Sequence, residues 1–390
     1  MISTGMVCSY AHYEEEHMSS TIATKTADIM IELIAINSPS GHEEAFRVDL
    51  VQRLHTLGIE MNSDAHGNIW GTLPATSGQE TTDAVLLNCH MDTVPNAVNA
   101  KPHIVEDVVV TDGQTALGAD DKAGIAAILV ALEHIIEQKI PHAPIVLLFT
   151  VSEETGLEGA KKFDMSQLGP IGYGYTLDAG GEIGTAITSA PSKCDARIVF
   201  HGKAAHAGFA PETGISAISL AAKAIDQMQL LRIDAETTAN IGTIHGGEVT
   251  NIVCDRCEVT LEVRSSTEER VNRHLAHMEF CCIKAVGALG GSYEFTPIPL
   301  YPGYAVDPDA PELKIFADAC ERAQLPFTTA PTGGGSDANI MRNQGIPILT
   351  LGIGYQGAHT TTESIPIRAL GQLTQLLLEL CRSDVKRPSL

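Results

Sequence analysis

Residues 85–92 read VLLNCHMD, residues 124–139 read GIAAILVALEHIIEQK, and residues 145–154 read IVLLFTVSEE. The first and third contain short apolar runs, Val85 to Cys89 and Ile145 to Val151, that do not alternate and are flanked by polar residues, as expected of strands buried on both faces. Between them Ile125, Ile128, Leu129, Leu132, Ile135 and Ile136 recur at helical spacing and predict one apolar face. Together they form a βαβ unit, the building block of a parallel sheet flanked by helices. A third run, Tyr175 to Leu177, and a late one, Pro347 to Gly352, extend the pattern, and Ile367 to Arg382 predicts a closing amphipathic helix. The sheet domain is therefore split in sequence.

The intervening chain has a different texture. Cys194 to His201 alternates, Gly214 to Leu231 is helical, Ala239 to His245 is strand-like, Cys257 to Arg264 alternates strictly, Thr267 to Gly287 is helical and Ser292 to Ile298 is extended. The order β-α-β-β-α-β is that of a ferredoxin-like α+β domain, expected over 190–299 and inserted in an α/β domain made of 21–189 and 300–390. Residues 1–20 stand apart as an extension to which no role attaches.

Composition narrows the partners. The 390 residues are 44% hydrophobic, enough for two globular domains, and carry a formal charge of −23 with no run of Lys or Arg. That charge disfavours nucleic acid and anionic membrane. MISTGMVCSYAHYEEEHMSS, the first twenty residues, holds no apolar core of signal-peptide length, and nine cysteines is an odd number for a disulfide framework. A cytoplasmic location is the expectation.

Ligands of open α/β sheets collect at the carboxyl ends of the strands. There the chain places His90-Met91-Asp92, Ser152-Glu153-Glu154 and Asp178, with Gly118-Ala119-Asp120-Asp121-Lys122 ahead of the helix. Histidine with aspartate and glutamate, and no cysteine, is the donor set of a zinc, cobalt or manganese hydrolase, and the carboxylates suffice for two ions sharing one. His90 and Asp92 share a face on extended backbone, so Asp92 is expected to accept the second imidazole N–H. Glu153 and Glu154 point apart, leaving one for metal and one for general-base work on water whose pKa a metal lowers to about 7. A last ligand has to come from far along the chain, and His359 in GYQGAHTTTES is the best candidate.

The chain also resembles the dinuclear zinc exopeptidases that include peptidase T, glutamate carboxypeptidase, aminoacylase and succinyl-diaminopimelate desuccinylase. HMDTVP (90–95), GADDKAG (118–124), SEETG (152–156), LDAGG (177–181), GKAAHAG with PETG (202–214), EVTNIV (248–253), the Arg of EVRS (264), GGGSDA (333–338) and AHTTTE (358–363) carry the resemblance, and their wording is nearest to peptidase T-like members. It implies that Asp120 bridges two divalent ions, that Glu154 and His359 complete one site and His90 and Asp178 the other, and that Glu153 is the base. It further implies a cis peptide between Asp120 and Asp121, and a homodimer formed by the inserted domain. His206 then reaches the partner's site, while Asn251, Arg264, Gly334 and Gly335 line the pocket for the substrate's anionic end. The implied reaction is hydrolysis of an amide bond in a short peptide, with an N-acyl amino acid as the alternative substrate.

Other readings carry less. Cys254-Asp255-Arg256-Cys257 has CxxC spacing without a second pair, and Gly333-Gly334-Gly335 lacks a Walker lysine and follows no strand legible in the sequence. A non-catalytic homologue is expected to have lost Glu153 or a ligand, and both are intact.

Overall fold

The computed structural model describes residues 20–79 and 83–383; the extension expected over 1–20 lies, except for its last residue, outside them. The described residues divide into two compact units, one of 20–79, 83–188, 306–331 and 336–383, the other of Ser189–Ala305 with Thr332–Gly335.

The first unit is built on a mixed sheet in the order Met61–Ser63, Ile69–Leu73, Ile145–Thr150, Ala84–His90, Ile171–Ala179, Ile348–Gly352, Thr185–Ala190. Its four central strands are parallel, with Val85 opposite Ile145 and Tyr173, and Ile348 opposite Gly174. Ala84–His90, Ile145–Thr150 and Ile348–Gly352 are buried at every position, which is why their apolar runs do not alternate. The run at 175–177 is the middle of a longer strand. Its first half is hidden in sequence by Gly172 and Gly174, and Gly174 is needed because a Cβ there would stand 2.9 Å from that of Leu86.

Helix Ala119–Gln138 packs on the parallel strands and on helix Ile367–Cys381. Its buried surface is wider than the one predicted face: every residue from Ala119 to Leu132 is buried, while Ile136, predicted inside, lies near the solvent-facing end and is exposed. Each fully buried Ile or Leu of this kind contributes about 1.5–3 kcal/mol. A separate small sheet joins His103–Val105, Val108–Val110 and Ser364–Pro366.

The second unit has a fully antiparallel sheet in the order Leu231–Arg232, Thr238–Gly246, Arg256–Ser265, Ser192–His201, Ser292–Tyr301. With helices Ala217–Ile225 and Glu268–Leu289, its four long strands follow the ferredoxin-like succession. Cys257, Val259, Leu261 and Val263 point into a core shared with Leu220, Leu275, Met278 and Phe200. The first helix is shorter than Gly214 to Leu231. Ile215 spends its main chain pairing with Lys203, and Ser216 caps the helix by accepting from Ser219 N at 3.2 Å.

Among the described residues no helix is long and apolar enough to cross a membrane. A strand, Thr328–Pro331, does precede Gly333-Gly334-Gly335; its sequence TTAP is too short and polar to show a period.

Candidate metal centre

His90 ends its strand, Asp178 lies one residue from the end of Ile171–Ala179, and Ser152-Glu153-Glu154 turns away after Thr150, with Ser152 at φ +53°. Asp120 and Asp121 open the long helix with non-helical φ/ψ, joined by a cis peptide. His359 sits in the loop after Gly352, at φ +65°. These segments, up to 269 positions apart, converge at the carboxyl ends of the parallel strands.

Asp120 stands between the two histidines. Its Oδ1 lies 3.1 Å from His90 Nε2 and its Oδ2 lies 3.3 Å from His359 Nε2. His359 Nε2 is also 2.9 Å from Glu154 Oε1, and His90 Nε2 is 3.8 Å from Asp178 Oδ1. Two triads, His90 with Asp120 and Glu154 and His90 with Glu153 and Asp178, bring their donor atoms within 4.8 Å of one another and could each hold a metal ion. Glu153 therefore lies closer to the ligand cluster than a purely substrate-facing base.

The electrostatics of this cluster suit cations. Burial, together with the charges of Asp120 and Glu154, pushes Asp178 up to about 8. Burial and the charge of Asp178 raise Glu153 well above the carboxylate range. Hydrogen bonding to Asp120 and Glu154 pushes His359 up to about 10, and His90 is raised by its carboxylate partners despite burial. Asp120 is held below its ordinary value, because the hydrogen bonds from His359 and His90 outweigh its burial. Glu154 Oε1 is buried, 2.9 Å from His359 Nε2. Crowded carboxylates of this kind, with two imidazoles and no thiolate, fit hard or borderline divalent ions.

His90 Nδ1 meets the main-chain oxygen of Asp92 at 2.9 Å, while the carboxylate expected to receive it is 3.4 Å away. The ring is still oriented with Nε2 toward Asp120. The Asp92 carboxylate instead accepts Glu153 N at 2.9 Å, Glu154 N at 3.2 Å and Ser40 Oγ at 2.6 Å, and so shapes the Glu153-Glu154 turn.

Several buried carboxylates escaped the sequence reading. Asp121 accepts His90 N at 3.2 Å; Asp337 accepts from Thr150 Oγ1 and Asn88; Glu43 accepts Ser152 N at 3.0 Å; Glu363 accepts three main-chain N–H groups ahead of and within the Asp120 turn. Asp121, Asp337 and Glu363 fall inside motifs already quoted, but spacing does not reveal which carboxylate faces a distant N–H.

In the second unit His206 is exposed. Its Nδ1 accepts from Gly208 N at 3.2 Å and Phe209 N at 3.0 Å, which puts the ring proton of the neutral form on Nε2. Ala207 N donates to Asn251 O at 3.0 Å, so His206 and Asn251 are neighbours. Arg264 forks onto Glu262 with two 3.1 Å bonds and donates to Gly333 O at 3.0 Å, beside Gly334 and Gly335. At Gly335 the ring of Tyr301 fills the space a Cβ would take.

An α/β sheet with histidines and carboxylates gathered at its strand ends defines a metal-dependent hydrolase. Residues 86–383 match peptidase family M20/M25/M40, and the chain belongs to that family: it is a peptide-bond hydrolase of the peptidase T-like kind. It is 38% identical over 361 residues to the uncharacterized protein YqjE of Bacillus subtilis, covering 91% of this chain and 97% of that one. Among solved structures it is similar to aminopeptidase PepT from Bacillus cereus (37% identity, TM-score 0.82) and a tripeptidase from Staphylococcus aureus (37%, TM-score 0.87), each match covering 92% of this chain and 98% of the other.

Proposed function

We propose that this chain is a two-metal exopeptidase acting on short peptides, with tripeptides the leading substrate class. The observation that carries it is Asp120, whose two oxygens each face a different histidine, as a carboxylate shared between two ions requires. The likeness to an aminopeptidase and a tripeptidase at 37% identity supports the substrate class. On this proposal His90 and Asp178 hold one divalent ion, Glu154 and His359 the other, and zinc, cobalt and manganese all suit the donors. Such ions supply Lewis acidity to the scissile carbonyl and acidify water.

The chain's own groups do the rest. Glu153 takes a proton from the attacking water at a carboxylate oxygen and passes it to the leaving nitrogen. Asp92 holds the Glu153-Glu154 turn through its two N–H groups. His206, protonated on Nε2, donates to the carbonyl oxygen of a substrate bound by a second copy of the chain, the inserted unit serving as dimerisation domain and the split unit as catalytic domain. Asn251, Arg264, Gly334 and Gly335 receive the substrate's anionic end. The protein works in the cytoplasm, in keeping with free thiols on all eight cysteines of the described residues.

The test is a panel of di- and tripeptides and N-acyl amino acids, assayed with zinc-, cobalt- and manganese-loaded protein. Turnover of tripeptides with release of one terminal residue is expected. Hydrolysis of the acylated compounds alone would make the chain a deacylase.

A further inference from the structure

Glu363 follows His359 by four positions and is almost completely buried. Its Oε2 accepts the N–H of Leu117 at 2.9 Å and of Gly118 at 3.0 Å, and its Oε1 accepts the N–H of Asp120 at 3.2 Å. These groups lead into helix Ala119–Gln138, whose N-cap, Gly118, has no side chain to cap it. Because Asp120 and Asp121 leave helical φ/ψ, the turn that carries Asp120 is not held by a regular helix. Its N–H groups are satisfied from 243 to 246 residues away.

The other end of the clasp is the loop bearing His359. Gln356 and Ser364 close its base by exchanging main-chain bonds of 2.9 and 3.0 Å, and Glu363 N donates to Thr360 O at 3.1 Å. Ser364–Pro366 then pairs with Val108–Val110, with Ile365 fully buried, so the chain is anchored immediately after Glu363. His359 itself is half exposed at left-handed φ, and its carbonyl accepts from Asn96 Nδ2 at 2.8 Å. His90 and Asp178 need no such device, since the paired strands Ala84–His90 and Ile171–Ala179 carry them.

We propose that Glu363 is a positioning residue for one half of the metal centre: its carboxylate clasps the Leu117–Asp120 turn to the His359 loop and sets the spacing of Asp120 Oδ2 and His359 Nε2. It acts most on the site shared by Asp120, Glu154 and His359, where it holds both the turn and the loop, and less on the other site, which it reaches only through Asp120 while His90 and Asp178 stay on their strands. A local helix cap would satisfy the same N–H groups without fixing the loop, which is why a side chain from the far end of the sequence is used. The proposal rests on the two-cation assignment above.

Glu363→Gln separates the roles. A carboxylate accepts at both oxygens, whereas the amide accepts at one and turns N–H groups toward a main-chain N–H at the other, so part of the clasp is lost with little change in volume. The metal-free full-length protein would be titrated with cobalt and zinc by chelator competition, with the cobalt absorption spectrum followed. Hydrogen exchange would be measured over 117–120 and 357–363 before metal is added. Wild type is expected to bind two ions. E363Q should bind the ion at His359 about 10–100-fold more weakly, with an altered cobalt spectrum at that site, and the ion at His90 and Asp178 with a clearly smaller loss. Exchange over 117–120 should be faster, and saturating metal should restore kcat with KM within twofold.

Two retained affinities within threefold of wild type would overturn the proposal. So would an equal fall in both affinities together with a lower Tm of the metal-free protein, the pattern of a plain folding defect. If E363Q does not fold, Glu363→Asp keeps both acceptors but withdraws them by one methylene, and it must weaken the site at His359 more than the other. Wild type that takes up one ion refutes the two-cation assignment itself.

Discussion

Asp92→Asn removes a charge without changing shape at a fully buried position. The asparagine has one acceptor where the aspartate has two. If its oxygen stays with Glu154 N and Ser40 Oγ, its amide meets the N–H of Glu153, which now donates at 2.9 Å. One bond to an ionised acceptor is lost and a buried N–H is left unsatisfied, so roughly 1.5–3 kcal/mol of stability should go. The opposite amide orientation sacrifices Glu154 N and is no cheaper. Because the displaced segment carries Glu153 and Glu154, activity should fall about 10–100-fold. Urea unfolding of the metal-free protein gives the first quantity and steady-state kinetics on a tripeptide the second. Unchanged stability with full activity would show that the Asp92 carboxylate does not shape the turn. Lost stability with full activity would show that the turn tolerates its displacement.

Glu153→Gln is expected to lower kcat by at least about 10² with two ions retained, while Glu154→Gln should lose metal from one site; metal analysis of both variants tells the neighbours apart. Loading the metal-free protein near pH 7 should release two to three protons, because Asp178 at about 8, His359 at about 10 and His90, raised well above its ordinary value, hold protons that ligation displaces. Calorimetry in buffers of different ionisation enthalpy counts them, and Asp178's share should vanish as pH rises from 7 to 9. Asp178 binds more protons folded than unfolded between 3.8 and about 8, and His359 between 6.5 and about 10, so the metal-free protein should lose stability as pH climbs through that range, most steeply between about 6.5 and 8, and the Tm gained on adding metal should widen. His206→Ala should cut kcat about 10²–10³-fold with metals and fold intact. Heterodimers of His206→Ala and Glu153→Gln subunits should recover activity, and verified heterodimers no more active than their parents would exclude a shared site.

Much of this protein is legible in the linear chain. Strands buried on both faces have to be continuously apolar, so VLLNC and IVLLFT declare a parallel sheet, and the strict alternation of Cys257 to Arg264 declares a sheet with one face on a core. Polar groups at strand ends follow from the same runs, which is why His90, Glu154 and Asp178, with Asp120 at the start of the long helix, can be singled out as candidate ligands before any coordinates. What tertiary structure decided lies where glycine or polarity masks the period, as in the first half of Ile171–Ala179 and in Thr328–Pro331, and where a side chain serves the main chain of a distant segment. Glu363 on the N–H groups of 117–120, Asp337 on Thr150 and Asp92 on the Glu153-Glu154 turn have no sequence period, because a hydrogen bond across the fold depends on three-dimensional approach and not on spacing.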